Sequence, residues 1–417
     1  MNTTLRRSIT AALAACVVIP VTASATNGYF SHGWGTKSKA MAGVATALPQ
    51  DTMVTATNPA GMAYVGTSLD LGVSFFSPSD RGYEANPDFA VNDQGWPTGP
   101  FVTPGTYDSS ADWFLIPSFG YNREIDQYST IGVAVYGNGG MNTDYRERPV
   151  WENFAGAPNQ LAVPDPSMAP PGTVASPSGM LFTATMPPVP VTDPTMPPPP
   201  DGNNINPGGY FTATTSTGVN LEQLFIEIPY TYKIGNGKQS VGIAPVFALQ
   251  NFEAKGLQPF RGASVKPNKV TNNGKEWSYG FGVHVGWFGE INDQLSAGLS
   301  YRTKMWMSDL DDYAGLFADG GSFDIPAMFN LGLAYKVQPN LTLAVDYQHI
   351  FYDEIDALAN SNDKDISGCF QPGVKPAYCL GGKDGLGFGW DSMDIIKLGL
   401  RYDHNEKLSF MGGVSYN

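Results

Sequence analysis

The chain has 417 residues and a formal net charge of −14, yet only 15% of its residues are charged, against about 25% in an ordinary soluble protein. The acidic balance argues against nucleic acid as a partner, because phosphate binding requires basic patches. After residue 25 the sequence has no apolar run of the roughly 20 residues that a membrane helix needs. A chain of low charge that is rich in glycine (48 residues) and aromatic residues (12%) is typical of a transmembrane β-barrel.

The first residues have the pattern of an export signal. Arg6 and Arg7 precede the apolar stretch 9–21, and Ala23-Ser24-Ala25 provides small residues for cleavage. We predict cleavage after Ala25, so that the mature chain begins at Thr26. The run from Leu13 to Cys16 also resembles a lipoprotein cleavage box, but cleavage there would leave an unexplained apolar leader. In both cases the protein leaves the cytoplasm.

Alternation of apolar with polar or small residues recurs along the chain, as in the stretches 69–75 and 295–302. This period of two indicates half-buried strands, although a soluble β-sandwich alternates as well. Eleven strands are predicted, at 67–78, 112–122, 129–138, 220–234, 240–253, 276–289, 294–306, 322–336, 340–351, 392–403 and 407–417.

The connections between these strands alternate in length. The short ones fall at 123–128, 235–239, 290–293, 337–339 and 404–406, and the long ones at 79–111, 139–219, 254–275, 307–321 and 352–391. Short periplasmic turns and long extracellular loops are the topology of an outer-membrane barrel, and nothing in a sandwich requires them. The predicted fold class is therefore an all-β, antiparallel transmembrane barrel.

The alternation assigns side chains to the two faces of the wall. The residues predicted to face lipid are Leu69, Leu71, Val73, Val283, Val285, Leu331, Leu333, Leu398 and Leu400. The residues predicted to line the lumen are Asp70, Glu227, His284, Arg302, Lys304, Asp346, Lys397 and Arg401. These charges all fall on the side of the strands predicted to face the lumen. This is consistent with a membrane barrel, because a charge at the bilayer midplane costs about 2–4 kcal/mol. Aromatic residues near strand ends are expected in the interfacial girdles: Trp287, Phe288, Tyr301, Tyr335, Phe351 and Tyr402.

The strand count itself raises a question. Eleven is odd, whereas bacterial barrels have an even number of strands, and the last strand ends at Asn417 while still running outward. We expect that the chain lacks strands at its C-terminus, with a miscount by one strand as the alternative.

Residues 26–66, called the hatch segment below, precede the first strand. They are rich in small residues, do not alternate strongly, and carry too little charge for a disordered tail, so they could lie inside the barrel as a plug. The segment opens with Asn27-Gly28-Tyr29-Phe30 and ends with Asn58-Pro59-Ala60 just before the first strand. In these features the sequence resembles the outer-membrane transporters of long-chain fatty acids and aromatic hydrocarbons.

This resemblance implies a barrel of fourteen strands plugged by a hatch that ends in the Asn-Pro-Ala motif, here Asn58, Pro59 and Ala60. It further implies that extracellular loops capture a hydrophobic ligand, that an interior pocket binds it, and that a gap in the wall releases it. The family's ligand-contacting residues do not map onto identifiable positions of this sequence.

Several features would suit such a route. Pro117, Pro229, Pro245 and Pro326 interrupt strand patterns and mark kinks, one of which could border a lateral opening. The glycines Gly137, Gly139 and Gly140 are an equally good place for a break. The proline- and methionine-rich stretch 155–209 could gather hydrophobic ligand or be a low-complexity insertion.

Chemical sites are few. Cys369 and Cys379, in an oxidising compartment and with no histidine nearby, predict a local disulfide rather than a metal site. No pairing of serine, histidine and acid emerges that would indicate an enzyme, and no cofactor or metal is expected. We expect a monomeric protein of the Gram-negative outer membrane, in contact with lipid and lipopolysaccharide, that passively transports hydrophobic compounds, most of all long-chain fatty acids. The alternatives are an aromatic-hydrocarbon or alkane channel and a solute-specific aqueous porin.

Overall fold

The computed structural model describes residues 26–78, 81–85, 105–151, 173–175, 181–183, 213–370 and 373–417. The predicted signal peptide lies outside the described residues. So does the proline- and methionine-rich stretch, apart from the antiparallel pair Thr173–Ala175 and Leu181–Thr183. Among the described residues, no helix has the length and apolar character needed to cross a bilayer.

The described residues form one long antiparallel sheet in which each strand pairs with the next along the chain. Its strands are β1 (Ser68–Phe76), β2 (Phe114–Glu124), β3 (Ser129–Asn142), β4 (Ala213–Glu227, continued by Tyr230–Ile234), β5 (Gln239–Lys255), β6 (Glu276–Glu290), β7 (Leu295–Arg302), β8 (Met328–Gln338), β9 (Leu341–Ile350), β10 (Met393–Asn405) and β11 (Leu408–Tyr416). The predicted all-β antiparallel barrel fold is confirmed.

Shorter elements complete the described chain. Gly82–Ala85 pairs with Gly105–Asp108, Tyr145–Trp151 pairs with the start of β4, and Trp306–Met307 pairs with β6. The hatch segment contains the small strands Thr26–Asn27 and Phe30–Ser31, the helix Thr36–Ala40, and the 3-10 helices Thr52–Ala56 and Pro59–Tyr64. The loops contain the short helices Gln258–Ala263, Pro267–Lys269, Asp311–Tyr313, Ala318–Gly321, Tyr352–Glu354, Asp356–Ala359 and Ser367–Phe370, and Gly235–Gly237 forms a turn.

Prolines explain part of the difference between the predicted and observed strand bounds. β4 is interrupted at Pro229, which has no N–H to donate to a neighbouring strand. Pro326 lies ahead of β8, which begins at Met328 rather than at residue 322 as predicted. Pro245, by contrast, stays within β5, where its carbonyl accepts a hydrogen bond from the Ile228 N–H.

The sheet curls around the hatch segment. Within the described residues, β1 pairs only with β2, and β11 pairs only with β10. Both of these edges nevertheless reach the hatch segment: the Lys39 Nζ donates to the Ser74 Oγ of β1 at 2.8 Å, and a Cβ on Gly413 of β11 would lie 2.5 Å from the Met41 carbonyl carbon. The hatch segment therefore lies where the two edges of the sheet approach each other.

The wall has two faces of opposite character. The outward side chains Leu71 and Leu398 are 74% and 52% exposed, whereas the inward Asp346 is 2% exposed. The prediction for Phe288 is wrong, because its ring is buried against Tyr64, with ring centroids 4.6 Å apart, rather than exposed in an outer girdle. Its place near the end of β6 suggested an interfacial residue, but its parity points it at the hatch segment.

The long loops form a packed cap at one end of the sheet. Tyr313, Phe317 and Phe323 from the β7–β8 connection pack with Ile355 and Leu358 from the β9–β10 connection, all of them buried. In a second cluster Cys369 and Cys379 form a disulfide beside Ala263, which belongs to the β5–β6 connection. Apolar contacts therefore tie three of the long loops together over the lumen.

Glycines on the inward face let the hatch segment approach the wall closely. A Cβ on Gly298 would lie 2.1 Å from the Thr46 carbonyl oxygen, and one on Gly286 would lie 2.1 Å from the Asn58 Oδ1. A Cβ on Gly242 would similarly meet the Ala60 nitrogen at 2.6 Å. Any larger side chain at these positions would displace the segment from the wall.

We expect Gly298→Val to unseat the hatch segment and to give a steady ion conductance in planar bilayers. Valine collides there with the backbone of Thr46, which cannot rotate away as a side chain would. Gly412→Val is the matched control, since nothing lies within 4 Å of a Cβ at that position. Heat-modifiable gel migration would show that both variants fold. A folded Gly298→Val variant that stays closed would contradict this account of the glycines.

Candidate functional site

The Asn-Pro-Ala motif fastens the end of the hatch segment to the wall. The Asn58 Nδ2 donates to the Thr46 carbonyl at 2.9 Å and to the Trp287 carbonyl of β6 at 3.0 Å. The Asn58 Oδ1 accepts from the Ala60 N–H at 3.1 Å, which caps the helix that begins at Pro59. One buried side chain thus joins two turns of the segment to a strand.

Hydroxyl groups of the wall bind the next two residues of the motif. The Thr231 Oγ1 of β4 donates to the Pro59 carbonyl at 3.0 Å, and the Ser240 Oγ of β5 donates to the Ala60 carbonyl at 2.8 Å. Both hydroxyls are buried. The strands therefore satisfy backbone groups that the irregular segment cannot pair within itself.

Asp346 and Lys397, which sequence analysis placed in the lumen, bind the middle and the start of the hatch segment. The Asp346 Oδ2 accepts from the backbone N–H groups of Ala45 and Thr46 at 2.8 and 2.9 Å, and from the Thr46 Oγ1 at 2.8 Å. On the neighbouring strand, the Lys397 Nζ donates to the His32 carbonyl at 2.9 Å. Since Asp346 and Lys397 are register partners of β9 and β10, one pair holds two distant parts of the segment.

The other two predicted lumen residues near the hatch segment contact it as well. The Asp70 Oδ2 of β1 accepts from the Thr52 N–H at 2.9 Å and from its hydroxyl at 2.8 Å. The Arg401 Nη1 of β10 donates to the Gln50 Oε1 at 3.3 Å. Lys304 lies past the end of β7, where its Nζ forms an ion pair with the Asp324 Oδ2 at 2.9 Å.

Glu227, His284 and Arg302 form a buried polar chain across the lumen. The His284 Nδ1 lies 3.3 Å from the Glu227 Oε2, and the Tyr136 hydroxyl donates to the Glu227 Oε1. The same hydroxyl accepts from the Arg302 Nη1 at 3.3 Å. Tyr136 therefore bridges two buried side chains of opposite charge that no ion pair joins directly among the described residues.

Aromatic rings surround the Arg302 guanidinium. It lies 4.6 Å from the centroid of Phe225, 5.6 Å from Phe30 and 5.7 Å from Trp34, the last two belonging to the hatch segment. Its Nη2 donates to the Asn138 Oδ1 of β3 at 3.1 Å. Cation–π contacts of this kind stabilise a desolvated guanidinium, so Arg302 connects the start of the hatch segment to one position of β3.

The wall is broken at Asn138 of β3. β2 pairs with β3 only from Ser118↔Tyr136 to Glu124↔Thr130, so the remainder of β2 (114–117) has no partner on β3. The register between β3 and β4 shifts between Gln223 and Leu224, leaving Asn138 as the extra residue of a β-bulge. The sheet is therefore open between β2 and β3, in the half nearer the long loops.

The hatch segment binds two backbone groups of β3 beyond the point where β2 stops pairing with it. The Trp34 Nε1 donates to the Gly137 carbonyl at 3.2 Å, and the Tyr29 carbonyl accepts from the Gly140 N–H at 2.9 Å. A Cβ on Gly139 would lie 1.9 Å from the Tyr29 carbonyl oxygen, so only glycine fits there. The glycines singled out in the sequence lie at the break, and Pro117 borders it.

A largely apolar cavity of about 1010 Å³ passes through this break. On its inner side lie Tyr29, Lys39 and Gln223, and on its outer side lie Phe75 and Leu115, which belong to the exposed face of the wall. The cavity thus connects the interior next to the hatch segment with the surface predicted to face lipid. It is the candidate functional site.

Residues that build this site from a distance have little local signal in the sequence. Tyr136 and Asn138 carry no motif, and Phe30 belongs to the opening Asn27-Gly28-Tyr29-Phe30 without any sign of its role here; their contacts with Arg302 join parts of the chain far apart in sequence. The available signal was local: the Gly137-Asn138-Gly139-Gly140 run at the end of a predicted strand. It indicated a break but not its partners.

We expect Asn58→Ala to loosen the hatch segment. Two carbonyls and one N–H lose their partner, which lowers the free energy of opening the hatch segment by about 2 kcal/mol. Trypsin cleavage at Lys37 and Lys39 would then be about thirtyfold faster, because it follows the population of the opened segment. Asn292→Ala is the control, since Asn292 makes its two hydrogen bonds in an exposed turn. Equal cleavage rates for the two variants would show that the motif does not retain the segment.

Comparisons with known proteins find similarity at the level of structure. No family profile and no curated protein matches the sequence. The toluene transporter TodX of Pseudomonas putida is similar with a TM-score of 0.53 and 13% identity, over 92% of this chain and 83% of that one. The toluene transporter TbuX of Ralstonia pickettii gives 0.52 and 15%, over 92% and 86%. A Pseudomonas aeruginosa FadL homologue gives 0.51 and 13%, over 93% and 80%. The chain therefore has the hatch-containing β-barrel fold of the FadL-like outer-membrane transporters.

Proposed function

We propose that this protein carries hydrophobic compounds passively across the outer membrane of a Gram-negative bacterium, with long-chain fatty acids as the substrate class. The observation that supports this most is the apolar cavity through the break between β2 and β3. Its mouth is bordered by the exposed side chains Phe75 and Leu115. A ligand in the cavity would reach the hydrocarbon layer without crossing the polar periplasmic end of the barrel.

The filling of the lumen supports a lateral route over an aqueous one. The hatch segment is fastened to β1, β9 and β10 by charged side chains, and buried aromatic residues of the loops pack over its start. A solute-specific porin needs a continuous water-filled path through an open lumen. The role of residues 26–66 in this proposal is that of a hatch which blocks that path.

The surroundings of the barrel follow from its outer face. Leucine and valine side chains such as Leu69, Val73 and Leu331 are exposed, which suits contact with lipid and lipopolysaccharide in the outer membrane. The proposal includes cleavage of a signal peptide after Ala25 and a monomeric barrel without catalytic activity. The similar solved structures are transport channels and not enzymes.

A second candidate function is the uptake of aromatic hydrocarbons. The inner end of the cavity adjoins a cluster of aromatic rings in which Tyr29 lies 5.5 Å from Tyr352 and 6.2 Å from Trp390. Offset and edge-to-face packing between rings at such distances is favourable, so a small aromatic ligand would find suitable partners there. Competition by toluene for the uptake of labelled oleate would favour this function.

We expect Gly137→Trp to abolish oleate uptake in a Gram-negative host that lacks its own fatty-acid channel. A Cβ on Gly137 would lie 2.8 Å from the Ile116 Cγ2, so an indole there would fill the space between β2 and β3. The readout is cell-associated labelled oleate at equal surface level. Gly412→Trp, with nothing within 4 Å of its Cβ, controls for an added indole. Uptake that survives Gly137→Trp would contradict the lateral route.

A further inference from the structure

The ammonium group of Lys39 lies on the inner side of the cavity that passes through the break between β2 and β3, called the wall-break cavity below. Lys39 belongs to the hatch helix Thr36–Ala40, and its Nζ donates to the Ser74 Oγ of β1 at 2.8 Å. Much of the surrounding lining is apolar, with Ile116 and Met141 among its residues. A positive charge therefore faces the passage that a hydrophobic ligand would take.

The hydrogen bonding of Lys39 is incomplete within the part of the chain that the structure describes. An ammonium has three donors, and the described residues supply one acceptor and no ion pair. Burial lowers the pKa of Lys39 from its ordinary value, as expected for a cation held partly away from water. Since such a charge is costly without a counter-charge, an entering anion would be favoured at this point.

The other charged groups at the cavity already have partners. The Arg81 guanidinium donates to the carbonyls of Asn142 and Ala111 and lies over the ring of Phe114. The Glu222 carboxylate accepts from the Asn251 Nδ2 at 2.8 Å. The Arg81 Nε has no partner among the described residues, but Lys39 is the lining ammonium that belongs to the hatch segment, and two of its three donors have no acceptor there.

We propose that Lys39 binds the carboxylate of a long-chain amphiphile in the wall-break cavity and selects anionic ligands over neutral ones of equal length. This rests on the proposed function and narrows its substrate class. The acyl chain lies along the apolar lining toward Leu115, while the carboxylate accepts charge-assisted hydrogen bonds from the ammonium. The selectivity lies at the lateral exit, on the hatch itself.

The test compares two labelled ligands that share one acyl chain, oleate and the neutral oleyl alcohol, in a Gram-negative host lacking its own fatty-acid channel. Lys39→Met removes the charge and retains an unbranched apolar side chain. We expect the half-saturating oleate concentration to rise about tenfold, the size of one charge-assisted hydrogen bond. Uptake of oleyl alcohol stays unchanged. Lys39→Arg restores the preference for oleate.

Lys37→Met is the matched control, because Lys37 is in the same helix but its Nζ donates to the Gln50 carbonyl at 2.7 Å. It leaves both uptakes unchanged. If Lys39→Met reduces the uptake of both ligands equally, Lys39 only supports the hatch segment, and the proposal is overturned. Unchanged oleate uptake overturns it as well. If the native protein takes up neither ligand, the proposed function itself fails, and this proposal falls with it.

Discussion

The need to pair every backbone N–H and C=O inside a barrel is the constraint on which this structure depends. Strands satisfy these groups in the wall, but the hatch segment is largely irregular and cannot do so alone. Irregular backbone is tolerated at membrane depth only where protein surrounds it or water reaches it. Hence the inward face carries Asp70, Thr231, Ser240, Asp346 and Lys397 toward the segment's backbone, with glycines between them where the two backbones nearly touch.

The break in the wall is subject to the same constraint, because it leaves backbone groups of β3 without a partner on β2. Where β2 stops pairing with β3, the freed groups of Gly137 and Gly140 bind Trp34 and Tyr29 of the hatch segment instead. The Arg302 guanidinium then holds the bulged Asn138 and the rings of Phe30 and Trp34 in one cluster. The same contacts therefore hold the opening in the wall and the hatch segment. We expect a change in either one to alter the other.

The sequence predicts what is local in this fold. A period of two decides which residues face out and places most of the strands to within a few residues, because each strand is recognised from its own residues. The starts of β4 and β8 differ from the prediction by more. Asn58-Pro59-Ala60 and the glycines at 137–140 are local signals of the same kind. The chain of Arg302, Tyr136 and Glu227 has no such signal, since it joins β7, β3 and β4 through contacts that no local pattern records. Phe288 was misassigned because its position near a strand end suggested the girdle while its parity placed it inside.

The central claim is that a hydrophobic ligand occupies the space between β2 and β3 and reaches the interior beside the hatch. The most direct measurement is photo-cross-linking of the native protein in outer-membrane vesicles with an oleate that carries a diazirine, followed by mapping of the adducts by mass spectrometry. The account predicts adducts on Tyr29 and Gln223, which are buried at the inner end of the cavity, together with Ile116 and Met141 along the break. Adducts confined to outward residues remote from the break, such as Leu331 and Leu398, would contradict it.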